Sequence, residues 1–262
     1  MPFIRVINYH ETPGFLAGAF ERQLQHFLTR FEAATRADLE NLLAGRGWKS
    51  RKPGLIITFD DGLRCNAEVA APLLEKYGFS GWFFVPPDFM DTPPADQIRF
   101  ADEHRILCNA PNSDGRIAMT WDQARALTRK HQIGCHTASH YRMVASTSNL
   151  QLNREIVTAK EILEERLGQP VESFCWVGGE EHVYHSRAAA IIRAAGYSYS
   201  FMTNTAVVSP TTSRFQLQRT NIEAAWGSDV VDFQLSGLLD LMYWPKRGRV
   251  NRLTAADEDI LK

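Results

Sequence analysis

Residues 54–62 read Gly54-Leu55-Ile56-Ile57-Thr58-Phe59-Asp60-Asp61-Gly62. An apolar run of strand length ends abruptly in two adjacent carboxylates. A second run, His136-Thr137-Ala138-Ser139-His140, follows the short strand-like segment His131-Gln132-Ile133-Gly134-Cys135. Two imidazoles four residues apart converge if the segment takes a helical turn. One carboxylate and two histidines make a facial triad that leaves positions open for water and substrate, as catalytic zinc or iron sites require. The other carboxylate is then free to accept a proton. This pattern predicts a metal-dependent hydrolase with Asp61, His136 and His140 as ligands and Asp60 as general base.

Working outward, residues 3–9 read as a strand ending at His10, and residues 18–44 as a helix with Phe20, Leu24, Phe27, Leu28 and Phe31 on one face. Residues 64–77 predict a helix closed by Gly78, and Trp82-Phe83-Phe84-Val85 a strand stopped by Pro86-Pro87. Residues 88–118 show no clear period and predict a long loop of the kind that forms lids. A short helix from Trp121, a charged helix over 149–167, a strand over 172–177, a helix over 186–195 and a strand over 197–203 follow, with Phe215–Gln218 strand-like and 228–243 helical. Strands alternating with helices predict βαβ units around a parallel sheet. In a parallel α/β barrel, catalytic groups gather at the C-terminal ends of the strands. His10, Asp60, Asp61 and His136 all fall just after a predicted strand, which makes them one candidate site.

A chain of 262 residues that is 44% apolar can bury a large core, and one domain over 1–262 is expected, with 228–262 as a C-terminal extension. The formal net charge of −1 gives no sign of a nucleic-acid partner. No stretch approaches the roughly 20 apolar residues of a membrane span. The opening residues lack a signal-peptide core, and Cys65, Cys108, Cys135 and Cys175 form no CxxC pair, so a reducing, cytoplasmic location is expected. Oligomeric state is not legible.

The Thr-Phe-Asp-Asp-Gly and His-Thr-x-x-His runs resemble the first two motifs of the polysaccharide deacetylases, a carbohydrate esterase family. The resemblance covers roughly residues 4–222 and includes Tyr77–Val85 and Met119–Gln123. It implies a distorted (β/α)7-type barrel, an N-acetylated carbohydrate as substrate, and a divalent ion, zinc first, with iron, cobalt or nickel also possible. It implies the same roles for Asp60, Asp61, His136 and His140. Asn8-Tyr9-His10 is similar to the opening of family members whose barrel is circularly permuted, where this histidine protonates the leaving amine. No histidine follows His185 to compete for that role.

The third family motif is altered. Ser173-Phe174-Cys175-Trp176-Val177-Gly178-Gly179-Glu180 resembles its Phe-x-Tyr-Pro-x-Gly form, with Trp176 in the aromatic place and Val177 where proline is expected. The resemblance implies a backbone N–H near Gly178 for the oxyanion, with Trp176 and Gly179 toward the substrate. Gln218-Arg219-Thr220-Asn221-Ile222 resembles a Pro-Arg-x-x-Val run whose arginine holds the catalytic aspartate. Trp82, Trp121 and Trp226 join Trp176 as candidates for stacking on a sugar. His182 and His185 are expected in a loop lining the cleft, and His26, His104 and His131 as structural or solvated. The apolar and basic tail 238–247 is expected to pack against the barrel or a partner subunit, with contact to a membrane surface as the alternative. The resulting reading is removal of an N-acetyl group from an amino sugar, as in surface-polysaccharide biosynthesis. The alternatives are amide hydrolysis on a ureide or formamide, or a degenerate member that binds glycan without turnover.

Overall fold

The computed structural model describes residues 3–108 and 114–255. Its strands are β1 (Ile4–Tyr9), β2 (Glu32–Ala33), β3 (Gly54–Phe59), β4 (Gly81–Val85), β5 (Gln132–Cys135), β6 (Ser173–Cys175), β7 (Tyr199–Met202), β8 (Val207–Val208), β9 (Leu217–Gln218) and β10 (Thr220–Asn221). They form one sheet in the order β10-β1-β3-β4-β5-β6-β7-β9, and every pairing along that path is parallel. A single residue, Arg219, separates β9 from β10. One continuous segment therefore pairs with β7 at its start and with β1 at its end. That segment draws the two edges of the sheet together, and seven staves curl into a nearly closed barrel of the expected (β/α)7 type.

Side chains alternate across each stave. Ile4, Val6, Ile56, Trp82, Phe84, Cys175, Tyr199, Phe201 and Leu217 share one buried cluster. Their sequence neighbours Ile7, Leu55, Ile57, Phe83, Ile133 and Phe174 belong to another, together with Phe20, Leu24, Phe27 and Leu163 from helices. The first cluster is the barrel interior, and the second is the layer between the sheet and its outer helices. Ala34, Leu39, Leu42 and Trp48 close the interior at the strand starts. Continued past the strand ends, the inward rows are 4-6-8-10, 54-56-58-60, 132-134-136 and 217-219. They place His10, Asp60, His136 and Arg219 together on the top rung.

Several expectations are corrected. The helix expected over 18–44 is two helices, Ala17–Arg30 and Arg36–Leu43, broken where Glu32–Ala33 pairs with β3. Thr35 starts the second with a capping box to Asp38. The amphipathic period survives the break because each helix buries its own stripe. The loop expected over 88–118 is largely helical: Pro87–Asp91 and Gln97–His104 pack Phe89, Ala101 and Ile106 against Leu63, Ile117 and Ala118. Residues 109–113 of that segment lie outside the described ones. The helices expected over 64–77 and 149–167 each contain a π turn, at Asn66–Ala70 and Arg154–Thr158. The tail forms the helices Ser228–Leu235, Leu238–Met242 and Trp244–Leu253. Among the described residues, no helix is long and apolar enough to cross a membrane.

Gly134 shows how tightly the interior is filled. A Cβ there would stand 2.5 Å from Phe84 ring carbons and 2.5 Å from Ser173 Oγ. We expect Gly134→Ala to lower stability by about 1–3 kcal/mol, read as a lower denaturation midpoint. An unchanged midpoint would contradict this packing.

Candidate active site

Four inward rows and two turns build the site. Asp60 ends the row of β3, and the chain then reverses through Asp61, whose φ is +73°, and Gly62 at +66°. A non-glycine residue in the left-handed region costs about 1–3 kcal/mol. That strain turns the second carboxylate back over the barrel mouth. After His136, the turn uses positive φ again, at Thr137 (+61°) and His140 (+57°). The two imidazoles therefore converge through a strained turn, not the helical turn their spacing predicts. The turn is fastened from below by Glu155, fully buried. Its carboxylate accepts the Ser139 N–H at 3.0 Å and the Ser139 hydroxyl at 2.9 Å. Sequence reasoning missed Glu155, whose only signal is an acid at an inward position of an amphipathic helix.

Asp61 Oδ1 stands 3.1 Å from His140 Nε2 and 3.5 Å from His136 Nε2. The far ring nitrogens are tied to carbonyls, His136 Nδ1 to Cys175 at 3.0 Å and His140 Nδ1 to His104 at 2.6 Å. With Nδ1 donating, each Nε2 is left as a lone-pair donor toward Asp61. Asp61 Oδ1 is buried yet receives no hydrogen bond of acceptable geometry. A buried carboxylate oxygen and two imidazole nitrogens within 4.8 Å of one another, none satisfied by the others, fit a divalent cation. His104, expected to be merely structural, thus contributes its backbone carbonyl. Cys175 joins Asp60 and His136 in a second possible donor set. Burial pushes its thiol well above the ordinary range, outweighing Arg219, so it stays protonated and is the poorer ligand.

Arg219 grips Asp60 with two parallel bonds of 2.7 Å and also donates to Asn8 Oδ1 at 2.9 Å and Thr58 Oγ1 at 3.1 Å. Burial by itself would raise the Asp60 carboxyl; the Arg219 guanidinium and then His136 overcome it and hold the group below its ordinary value. His10 lies across the opening, about one-third exposed, with Nδ1 3.4 Å from Glu223 Oε1. Burial lowers its pKa, but the Glu223 contact and the fields of Asp61 and Asp60 outweigh that and raise it to about 9. Glu223 is a second residue that sequence reasoning passed over; it lies beyond the quoted motifs.

The cleft above these groups measures about 390 Å³, and Arg105, Arg142, Trp176, Gly178, Gly179, Glu180, Tyr243 and Lys246 contribute to its walls. Gly178 takes φ +85°, and a Cβ there would meet the Glu180 carboxylate at 2.8 Å. The Gly179 N–H is already bonded to Glu180 Oε2 at 3.1 Å. Trp176 reaches the wall but is buried, its indole N–H donating to Ser200 at 2.8 Å, so it offers no open face. Trp82 fills the barrel interior, and Trp121 and Trp226 line no part of the cleft. Among the described residues, Tyr243 is the aromatic side chain at the rim with an exposed face. His185 caps the helix Ser186–Ala194, accepting the Ala188 N–H, and neither it nor His182 lines the cleft. His26 pairs with Asp232, and His131 is a buried acceptor for the Gly81 N–H.

A family profile described as polysaccharide deacetylase matches residues 48–200. No curated protein matches the chain. Among solved structures, the chain is similar to the Streptococcus pyogenes deacetylase PplD in complex with acetate (17% identity, TM-score 0.69, covering 89% of this chain and 99% of that one). It is similar to IcaB from Ammonifex degensii (18%, 0.64, 91% and 97%) and to a de-N-acetylase from Aggregatibacter actinomycetemcomitans (16%, 0.66, 88% and 99%). At these identities the likeness is one of fold.

If Asp61, His136 and His140 form the cation site, the purified chain should take up one zinc or cobalt ion. Asp61→Asn or His140→Ala should weaken uptake by about 100-fold or more, measured by elemental analysis after dialysis. Undiminished uptake by both variants would move the site elsewhere.

Proposed function

The chain belongs to the polysaccharide deacetylase family, and on that footing we propose that it is a metal-dependent hydrolase removing the N-acetyl group of an amino sugar. The observation that carries the reading is the meeting, at one barrel mouth, of an arginine-held carboxylate and a three-donor cation site. Asp61, His136 and His140 would hold the ion. A nitrogen-rich set with one carboxylate suits zinc first, and iron, cobalt or nickel next. When bound, such an ion supplies Lewis-acid polarisation of the acyl carbonyl and makes a nearby water more acidic.

The remaining work falls to the chain itself. Asp60 accepts the proton of the attacking water. Its pairing with Arg219 keeps it ionised at neutral pH and fixes both oxygens, each with a lone pair to spare. The Gly178 N–H is the candidate donor to the oxyanion, since among the described residues it has no acceptor of its own. His10, with its pKa near 9, is protonated at neutral pH and gives that proton to the departing nitrogen. This spares the reaction an amide anion and yields acetate and a free amine. The acetate held by the similar streptococcal protein is the product expected here.

Arg105, Arg142 and Lys246 at the rim suit an amino sugar that carries a phosphate link, as intermediates of surface-polysaccharide assembly do. The four cysteines are unpaired, which supports a reducing compartment, and we place the enzyme in the cytoplasm.

Asp60→Asn should cut acetate release from an N-acetylated amino sugar by about 10²–10⁴-fold, with folding checked by thermal unfolding because Arg219 loses its counter-charge. Equal release by a folded variant would remove Asp60 as base. Glu223→Gln addresses the acid. The protonated His10 is the active form, so activity falls as pH rises through its pKa. Removing the Glu223 charge lowers that pKa and should move the alkaline limb of the rate profile to lower pH. An unmoved limb would assign the acid elsewhere.

A further inference from the structure

Two tail helices bury Val231, Leu235 and Val250 in the core, but the one between them is built inside out. In Leu238–Met242 the inward residue is Asp240, whose carboxylate takes two bonds from Arg5 of β1, at 2.7 and 2.9 Å. Arg247, in the next helix, donates to the carbonyls of Thr205 and Asp240. With the polar groups turned in, the apolar ones are held out: Leu241 is 71% exposed, Met242 65% and Trp244 69%. Among the described residues, eight of the twelve exposed large apolar side chains lie between 230 and 253. Scattered exposed apolar residues are ordinary, but a patch fastened from behind by buried polar bonds calls for an occupant. The expected packing of this tail against the barrel is seen through Asp240 and Arg247, while Leu241, Met242 and Trp244 take no part in it.

The patch borders the cleft. Tyr243 and Lys246 belong to the tail and line the cleft wall, and Leu107, 78% exposed, lines it as well. Residues 238–253 carry four basic side chains and one acidic one. Among the described residues, Arg249 alone of these four has a carboxylate partner outside the segment, Glu181 at 2.9 Å. A second copy docked about a two-fold axis would set these cations against themselves, which disfavours that occupant. Exposed Leu, Met and Trp beside Tyr, Lys and Arg match instead the layered polarity of a lipid surface, with apolar groups below the headgroups and cations among the phosphates.

We propose that this face docks the protein on an anionic lipid bilayer, with the mouth of the cleft opening beside the contact. The docking does not depend on turnover, so it can stand or fall apart from the deacetylase reading. The full chain is to be sedimented with phosphatidylcholine vesicles with and without phosphatidylglycerol, alongside Leu241→Ser/Met242→Ser/Trp244→Ser and, as an exposed apolar control outside the patch, Leu150→Ser. We expect wild type and the control to partition into the anionic vesicles, and the triple variant to bind about tenfold more weakly or worse. Asp60→Asn should bind as wild type does. The proposal is overturned if wild type ignores anionic vesicles or binds neutral ones as well. It is overturned equally if a folded triple variant binds undiminished. Analytical ultracentrifugation tests the other occupant: a wild-type dimer abolished by the triple substitution would assign the patch to a second copy and overturn the lipid contact.

Discussion

The buried pair between Arg219 and Asp60 is the constraint on which the rest depends. A guanidinium and a carboxylate removed from water are tolerable only when each satisfies the other with good geometry and the spare donors also find partners. Here Asn8 and Thr58 accept from Nη1 and Thr203 from Nη2, and only Nε is left without a partner among the described residues. Arg219 occupies the one position between β9 and β10, where the chain leaves one edge of the sheet for the other. The bond that holds Asp60 therefore also spans the seam of the barrel, and the charge on Asp60 contributes to the stability of the fold as well as to the proposed chemistry.

From that pair the site extends by period two. Each stave sends alternate side chains inward, and the rows carry hydrocarbon in the middle of the barrel and polar Asn8 and Thr58 near the strand ends. At the next step, where the interior first meets the cleft, each row ends in an ionisable side chain: His10, Asp60, His136, Arg219. The adjacent Asp61 and His140, proposed here as ligands, are off these rows and need backbone strain to join them. Left-handed φ at Asp61, Thr137 and His140 is stored where the surrounding bonds can hold it, as Glu155 does beneath Ser139.

The profile match to residues 48–200 takes in Asp60, Asp61, His136, His140 and the altered third motif but neither His10 nor Arg219. Those two come from the ends of the chain, and their staves are neighbours, β1 pairing with β10. Closing a barrel makes first and last strands adjacent, so His10 and Arg219 reach the same centre.

The sequence by itself determined the staves and the polar His10, Asp60 and His136 that follow them, because strand periodicity and an abrupt change from apolar to charged are local properties, while the barrel class and Arg219 came from the resemblance of its motifs to a family. It determined too little about 18–44 and 88–118, where amphipathic period and composition do not reveal which layer a segment packs against. Tertiary structure alone decided that Glu155 and Glu223 matter, that among the described residues Tyr243 is the exposed aromatic at the cleft rim while Trp176 is buried, and that the helix Leu238–Met242 turns its apolar side outward. Each of these depends on which distant surfaces meet: Asp240 finds Arg5 across 235 residues, and no local pattern encodes that meeting.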